Sequence, residues 1–395
     1  MARLDKNTAL RLSEPVEAAY LDCIDRLIVN IAKHLGTGKA FRTAGWETRK
    51  LAELGQLTQE NARIINEETR RVPEEIRKAL DEVSQIALAD IERAIREAIA
   101  KGAIEEAPAD SVQNLLRDLS GQAVDDANLV NTVMLQSGQS AYLQAVNNMV
   151  IWENQLLDAA AAQKTLNDAA TAVTIGTETR RQALQKAISQ MADKGIYGFV
   201  DRAGRHWSPE AYMNMDIRTT VHNAAIQSIR VRQEDYGSDI FQVSSHAGAR
   251  PLCYPYQGKF YSWGSGSGTF TDGAGVQHAY APLDSTSYGQ AAGLFGINCG
   301  HYPMPQIPNV TIPQDKKQQN KEANDKEYQE SQQQRALERS IREAKRKQAA
   351  FKAAGLDDAA ADMAQTIKDR QAAMREFIGK TGRTRRYDRE SIKGV

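Results

Sequence analysis

Hydrophobic and polar positions alternate at helical spacing over most of this 395-residue chain. Large apolar residues recur every three or four positions from about residue 8 to 34 and again after Pro73, which with Glu74 and Glu75 is typical of a first helical turn. A helix of about 30 residues needs a partner to cover its apolar stripe. The second stripe consists of Ile76, Leu80, Val83, Ala87, Ile91 and Ile95.

A region rich in alanine and glutamine follows Pro108 and keeps helical character to about Lys194. We interpret residues 1–195 as an elongated helical domain, and no catalytic constellation is visible in it. Cys23 falls on the first apolar stripe, so it is predicted to be a small buried side chain and not a reactive thiol.

The pattern changes at Gly195. Residues 196–207 carry two short aromatic-bearing runs around a turn, which predicts a β-hairpin. A helix is then predicted from Pro209, with Ser208 as its N-cap, to about residue 236, where Gly237 ends it. Arg218 and His222 are four positions apart on this helix and share a face, which points into the core or a cleft or is solvated.

Residues 239–244 and 259–263 alternate as strands, and the glycine-rich stretch 264–275 is predicted to be a loop. The proline-rich segment 303–313 is predicted to be a linker or an extended surface segment. Nearly half of the aromatic residues and of the glycines lie between Tyr236 and Tyr302. We therefore predict a small glycine- and aromatic-rich α+β module over residues 196–312.

A helix dense in Gln, Lys, Glu and Arg is predicted from Gln314 to about Ala354, and so polar a helix is either solvated or lies on a partner's surface. We assign residues 313–395 to a charged helical tail that is partly disordered. The predicted fold class is α+β: an N-terminal helical domain, the small module and the polar helical tail.

Charge balance, apolar runs and cysteine number argue against several classes of protein. Fifty basic residues balance fifty acidic ones, so overall charge does not mark a nucleic-acid binder. No run approaches the roughly 18 apolar residues that a membrane span needs, and the charged N-terminus is unlike a signal peptide. The expected site of synthesis is therefore a cytoplasm, and no membrane is expected as a partner. Three widely separated cysteines predict no disulfide framework.

Two of the three cysteines and three of the six histidines fall between Tyr236 and Tyr302. His246, Cys253, Cys299 and His301 supply two nitrogens and two sulfurs, the ligand set of a tetrahedral structural zinc site, which has no open position for a substrate. The alternative is that the histidines hydrogen-bond loop backbone and the cysteines are simply packed. A nucleophilic Cys299–His301 pair is disfavoured, since side chains two apart do not automatically meet.

The last part of the chain is locally basic. Residues 311–395 carry 20 Lys and Arg against 14 Asp and Glu, and the sequence ends in the cluster Arg383, Arg385, Arg386 and Arg389. These arginines are candidate contacts to the phosphates of double-stranded DNA. The alternative is a solvated terminal tail.

Two motifs in the module carry a family resemblance: SSHAGARPLCYPYQGKFYS and GINCGHYPMP. Further stretches agree with it, namely LAELGQLTQENARIINEET, VDRAGRHWSPEAYMNMDIRTTVHNAA and ALERSIREAKRKQ. The sequence resembles the bacteriophage minor capsid protein 2 family, within the broader group of Mu F-like head morphogenesis proteins. The resemblance covers most of the chain.

The resemblance implies a structural role without enzymatic activity. It implies a low-copy virion protein inside the phage head near the portal, acting in head assembly and in genome packaging or delivery. The implied partners are portal and capsid proteins and other copies of the chain. In this family the position of Cys253 is commonly a histidine, an exchange that a zinc ligand tolerates, so the resemblance favours the zinc site. Tyr256 replaces a usual tryptophan, and Gly300 stands where a basic residue is frequent.

Two other functions are compatible with the sequence. One is a metal-dependent hydrolase that works in the His246–His301 cleft, which requires an open metal position. The other is a DNA-binding protein that acts through its basic tail, with salt-sensitive affinity.

Overall fold

A computed structural model of the protein describes residues 3–36, 45–102, 104–105, 108, 110–162, 169–194, 196, 198–200, 206–314 and 318–392. The helices are α1 (Thr8–Gly36), α2 (Trp46–Ala52), α3 (Leu54–Thr69), α4 (Val72–Ala100), α5 (Asp110–Ala162), α6 (Ala169–Lys194), α7 (Pro209–Asp235), α8 (Lys321–Ala353), α9 (Asp357–Thr381) and α10 (Tyr387–Glu390). The strands are β1 (Phe199–Val200), β2 (His206–Trp207), β3 (Ile240–Val243), β4 (Phe260–Ser262), β5 (Gly268–Thr271), β6 (Gln277–Pro282) and β7 (Pro303–Pro305).

This order of elements confirms the predicted α+β class with helical ends. The chain divides into two compact units, each built from three separate stretches. The first comprises residues 1–17, 71–127 and 213–332, and the second comprises residues 18–70, 128–212 and 333–395. The sequence predicted three domains instead, at 1–195, 196–312 and 313–395. Each of these is one continuous segment, and this division stays a prediction.

One hydrophobic cluster of the first unit lies where α4 meets the segment that follows β7. The predicted stripe of α4 is buried along its whole length, from Ile76 to Ile95. Ile91 and Ile95 pack with Ile307 and Val310, which follow the last strand. The proline-rich segment therefore contributes to the core, and its prediction as a linker or surface segment is wrong.

The main sheet has the order β5-β6-β4-β3-β7, with β4 and β6 parallel and the other pairs antiparallel. The glycine-rich stretch that was predicted to be a loop contains β5, which pairs with β6 from Gly268 to Thr271. Pro303 and Pro305 lie in β7 at the edge of the sheet, where a missing amide is tolerated because no further strand needs it.

Helix α7 begins at Pro209 as predicted and ends at Asp235. Gly237 has a φ of 64°, in the left-handed region that glycine adopts without strain. The amide of Ser238 donates to the carbonyl of Gln233 at 3.0 Å, and that of Gly237 to Glu234 at 3.0 Å. This pair of bonds satisfies the last carbonyls of the helix and confirms the predicted glycine cap.

In the second unit, the part of the polar helix α8 that follows residue 332 packs through buried charges. Asp25 of α1 is fully buried and accepts hydrogen bonds from Arg342 and Arg346 of α8. Both arginines are more than nine-tenths buried. The prediction that this helix is solvated or lies on a partner's surface is therefore wrong around Arg342 and Arg346. There, buried ion pairs within the chain replace the apolar stripe of an ordinary buried helix.

Two smaller predictions are also confirmed. Cys23 is fully buried, and burial raises the pKa of its thiol far above the usual range. The strands β1 and β2 pair antiparallel as a hairpin, although the turn between them lies outside the described residues.

Within the described ranges, no helix combines the length and apolar character that a bilayer crossing demands.

Candidate metal centre

Pairing of β3 with β7 brings two distant loops together. Val243 pairs with Pro303. The loop that leaves β3 (the first loop, residues 244–259) therefore lies beside the loop that enters β7 (the second loop, residues 283–302). The contact continues past the strands: the amide of Ser244 donates to the carbonyl of Tyr302 at 3.0 Å, and the amide of Tyr302 donates to Oγ of Ser244 at 2.9 Å. His246 therefore neighbours the Cys299–His301 segment.

Arg250 ties the first loop to the second. Its guanidinium donates to the carbonyl of Ile297 at 2.6 Å and to that of Gly293 at 3.1 Å. The hydroxyl of Ser287 adds a second tie, since it donates to the carbonyl of Leu252 at 2.6 Å and accepts from the amide of Leu294 at 2.9 Å. These bonds hold the loops together although neither has much regular structure.

A side chain of α8 clamps the first loop from outside. Asn324 is fully buried; its Oδ1 accepts from the amide of Ala249 at 2.7 Å, and its Nδ2 donates to the carbonyl of Ala249 at 2.8 Å. Both backbone groups are thus satisfied away from water, and the loop is fixed in place.

The second loop is tightly wound around Cys299. Phe295 and Asn298 have φ values of 59° and 56°, in the left-handed region that most residues avoid. Gly293 passes so close to the backbone that a Cβ there would lie 1.8 Å from the carbonyl oxygen of Ser287. This winding points the amide of Phe295 at Sγ of Cys299, at 3.3 Å.

Three of the four predicted ligands converge. The ligand atoms of Cys253, Cys299 and His301 all lie within 4.8 Å of one another, and each residue is more than nine-tenths buried. The two sulfurs are 3.8 Å apart, and Sγ of Cys299 is 3.4 Å from Nδ1 of His301. Around a tetrahedral zinc ion with ordinary bond lengths, these edges measure about 3.8 Å between sulfurs and about 3.5 Å between sulfur and nitrogen.

The pKa values of the two thiols are shifted in opposite directions. The hydrogen bond with Cys253 lowers the pKa of Cys299 well below its usual value, and the nearby His222 and His301 act in the same direction against the effect of burial. The same hydrogen bond, with burial, raises the pKa of Cys253. Of the two, Cys299 is therefore the thiol that loses its proton more readily, and the thiolate is the form that binds metals.

His246 lies beside this cluster and not in it. Its ring stacks on that of His301, with centroids 4.2 Å apart and a tilt of 34°. Its Nδ1 lies 3.1 Å from the carbonyl oxygen of Ala247, and its Nε2 has no hydrogen-bond partner. Burial and the neighbouring His301 lower the pKa of His246 to about 4, so the ring is neutral at pH 7.

His222 is a residue of this site that the predicted ligand set leaves out. It is 3% exposed, and its ring meets that of Tyr302 edge-on at 4.7 Å. It lies close enough to Cys299 to lower the pKa of that thiol, yet neither of its ring nitrogens has a partner at hydrogen-bond distance. Its spacing from Arg218 predicted only that the two residues share a face of the helix and left open whether that face points inward or is solvated.

Arg218, one turn away, fixes this face of α7. It forms an ion pair with Glu17 and approaches Oδ1 of Asn298 at 3.4 Å. The face that carries Arg218 and His222 therefore points into the first unit and is not solvated. Because Asn298 precedes Cys299, the helix and the wound loop are linked directly.

The four arginines of the tail lie near one another, but acidic or amide groups of the same chain face them. Arg385 forms two hydrogen bonds with Glu390, Arg386 pairs with Asp388 at 3.0 Å, and Nε of Arg383 donates to Gln334 at 2.7 Å. Arg389 lies 3.8 Å from Glu338. DNA contact through this cluster stays a prediction.

Comparison with known proteins identifies the class. The chain is similar to a protein of Lactococcus phage LL-H described as "Structural protein", with 28% identity over 369 residues, which cover 89% of this chain and 90% of the phage protein. No solved structure matches the chain.

The family itself follows from a match to the family described as "Phage minor capsid protein 2", which extends over residues 5–379. The chain therefore belongs to the phage minor capsid protein 2 family, and the resemblance drawn from its motifs is confirmed. Membership makes it a structural component of a phage particle.

Proposed function

We propose that the protein acts inside the phage head near the portal, in head assembly and in genome packaging or delivery, with portal and capsid proteins as its partners. The observation that carries the proposal is the family match over residues 5–379, which includes both the helices and the module. Long helices within compact units suit a protein that docks on other proteins. Self-association between copies belongs to the same proposal.

Isolated particles test this role. Mass spectrometry of purified immature and mature heads is expected to detect the protein at low copy number, and protease treatment of intact heads is expected to leave it uncut. Cross-linking within heads is expected to join it to the portal. Particles that contain no trace of the protein, or intact heads in which protease removes it, contradict the proposed location.

We also propose that Cys253, Cys299 and His301 hold a structural zinc ion. The support is geometric: two of the three distances among the buried ligand atoms match the edges of a zinc tetrahedron, and the third pair lies within 4.8 Å. Zinc would add a link between two loops that are otherwise joined by hydrogen bonds. Its role is to stiffen the module and not to carry out a reaction.

Metal analysis of the full-length protein tests the zinc proposal. The reduced parent protein is expected to hold equimolar zinc, and Cys253→Ala is expected to lose most of it because a thiolate ligand is removed. Cys23→Ala is the matched control, since Cys23 is equally buried but lies on α1 in the second unit. Parent protein without bound zinc after reconstitution overturns the proposal.

A metal-dependent hydrolase at this site would need a position open to substrate. We propose instead that the site is closed and that the protein has no enzymatic activity. Replacement of zinc by Co²⁺ distinguishes the two: a closed four-ligand site gives the absorption of tetrahedral cobalt, which added anions do not change. A cobalt spectrum that shifts on addition of azide supports the hydrolase.

Contact of the tail with double-stranded DNA is a separate proposal, which requires the arginines to exchange their acidic partners for phosphates. Arg386 is the most exposed of those paired, with 36% of its side chain accessible. Binding of the full chain to duplex DNA is expected to weaken with salt, and Arg385→Ala with Arg386→Ala to lower the salt slope. Unchanged binding by this variant excludes the tail as the contact.

A further inference from the structure

We propose that His222 of α7, and not His246, is the fourth ligand of the metal centre. This inference rests on the proposed zinc site and specifies its composition. It replaces one member of the ligand set that the sequence predicted. It also changes what the metal connects, because His222 belongs to a long helix and His246 to a loop.

The orientation of His246 argues against a role as ligand. An imidazole binds a metal through a nitrogen lone pair that lies in the plane of its ring. The rings of His246 and His301 are stacked with centroids 4.2 Å apart and are tilted by only 34°. An ion in the plane of the His301 ring is therefore displaced from the plane of the His246 ring, in which the lone pairs of His246 lie.

The surroundings of His246 lead to the same conclusion. Its Nδ1 is engaged with the carbonyl oxygen of Ala247 at 3.1 Å. Its Nε2 packs against Gly300, where a Cβ would lie 3.0 Å away. The residue is only partly buried, although its Nε2 is shielded from solvent and has no hydrogen-bond partner, and Lys6 is close enough to act on its charge. His246 therefore covers the cluster from outside, as a stacked neighbour of His301.

His222 has the properties that a ligand needs. Its side chain is 3% exposed, and both ring nitrogens lack a hydrogen-bond partner, a costly state for a buried polar group. Its ring contacts that of Tyr302, the residue after His301, with centroids 4.7 Å apart. Cys299, which contacts both Cys253 and His301, is the member of the cluster on which His222 acts. A metal ion bound at Cys299 would satisfy one of these nitrogens.

Neither His222 nor His246 belongs to the group of ligand atoms that lie mutually within 4.8 Å, so the fourth ligand must move inward when the ion binds. Rotation of the His222 ring breaks no hydrogen bond and changes only its edge-on contact with Tyr302. For His246 the same movement would break its contact with Ala247 and its stacking on His301. The smaller rearrangement favours His222.

Nitrogen-15 NMR of the histidine rings tests the assignment in the intact chain. The protein has six histidines, so the ring signals are few, and His222→Gln, His246→Gln and His301→Gln assign the three relevant ones by their disappearance. Removal of zinc with a chelator is expected to shift the ring-nitrogen signals of His222 and His301 strongly. The signal of His246 is expected to change much less.

Zinc affinity gives a second readout. His222→Gln is expected to weaken zinc binding by at least about tenfold, and His246→Gln, the matched control, to leave it within about twofold. If the parent binds zinc but His246→Gln loses it and His222→Gln does not, the assignment of His222 is overturned while the zinc site stands. If the parent binds no zinc, the proposed centre itself fails. If a variant does not fold, the parent spectrum with and without chelator still decides which rings respond.

Discussion

Asp216 on α7 is a buried carboxyl whose charge opposes folding. Burial, reinforced by the neighbouring Asp126, raises the pKa of Asp216 to about 6. One oxygen of this carboxyl has no hydrogen-bond partner. Since an unfolded aspartate titrates near pH 4, the folded chain holds this proton more tightly, and stability falls as pH rises from about 4 to about 6.

Asp216→Asn is therefore expected to stabilise the protein above pH 6, by up to about 3 kcal/mol, and to give little gain near pH 4. Urea unfolding of parent and variant at the two pH values measures the difference. Asp118→Asn, at an exposed position on α5, is the control and is expected to change the free energy of unfolding by less than about 0.5 kcal/mol. A gain that is equal at both pH values contradicts the assignment of the effect to this carboxyl.

At the same scale, the sequence predicted the residues of the site better than their roles. Cysteine and histidine are recognisable ligand types, so Cys253, Cys299 and His301 could be proposed before any coordinates. What spacing cannot give is ring orientation. His246 has the right chemistry but stacks on His301, whereas His222 lies on a distant helix whose packing direction depends on tertiary contacts such as Arg218 with Glu17.

Among the elements, the wound loop before Cys299 is the most sensitive to side-chain volume. Gly293→Ala is expected to destabilise the protein by about 2 kcal/mol or more, because the new Cβ would collide with the carbonyl of Ser287. Zinc content is expected to fall with stability, since the same loop carries Cys299. Thermal unfolding and metal analysis measure the two effects.

Gly266→Ala provides the control for this variant. A Cβ at Gly266 meets nothing within 4 Å, so this change is expected to alter stability by less than about 0.5 kcal/mol. If Gly293→Ala unfolds at the same temperature as the parent, the loop is less tightly constrained than its geometry indicates.

The helices were predicted more successfully than the strands, for a physical reason. Helix α4 has a proline in its first turn and an apolar stripe that repeats over many turns. Both signals are local in the sequence and can be recognised without the fold. Strand β7 consists of Pro303, Met304 and Pro305, and proline is locally a signal against a strand. It pairs with β3 because it is an edge strand, a property that only the assembled sheet defines.

Helix α8 is a second case in which the sequence of one element does not predict its burial. Its sequence is too polar to predict burial, yet Arg342 and Arg346 are buried because Asp25 lies opposite them. The partner is more than 300 positions away in the sequence. A charge pattern on one helix cannot predict its complement on another.

At the scale of the whole molecule, stability in the second unit depends on this buried network. Asp25→Ala is expected to destabilise the protein by about 3–5 kcal/mol, because it leaves two buried guanidinium groups without their shared carboxylate. Calorimetry of the full chain measures the loss. Glu97→Ala removes the exposed pair with Lys101 and is expected to cost less than about 1 kcal/mol. Equal effects of the two variants contradict the structural role of the network.

The connection between β4 and β5 has a practical consequence for work on intact phage. Residues 264–267 are exposed, while the β3–β7 pairing and the thiol cluster form elsewhere in the fold. A short epitope inserted between Ser265 and Gly266 is expected to leave folding and particle yield unchanged. Antibody labelling of sealed and opened capsids would then show directly on which side of the shell the protein resides.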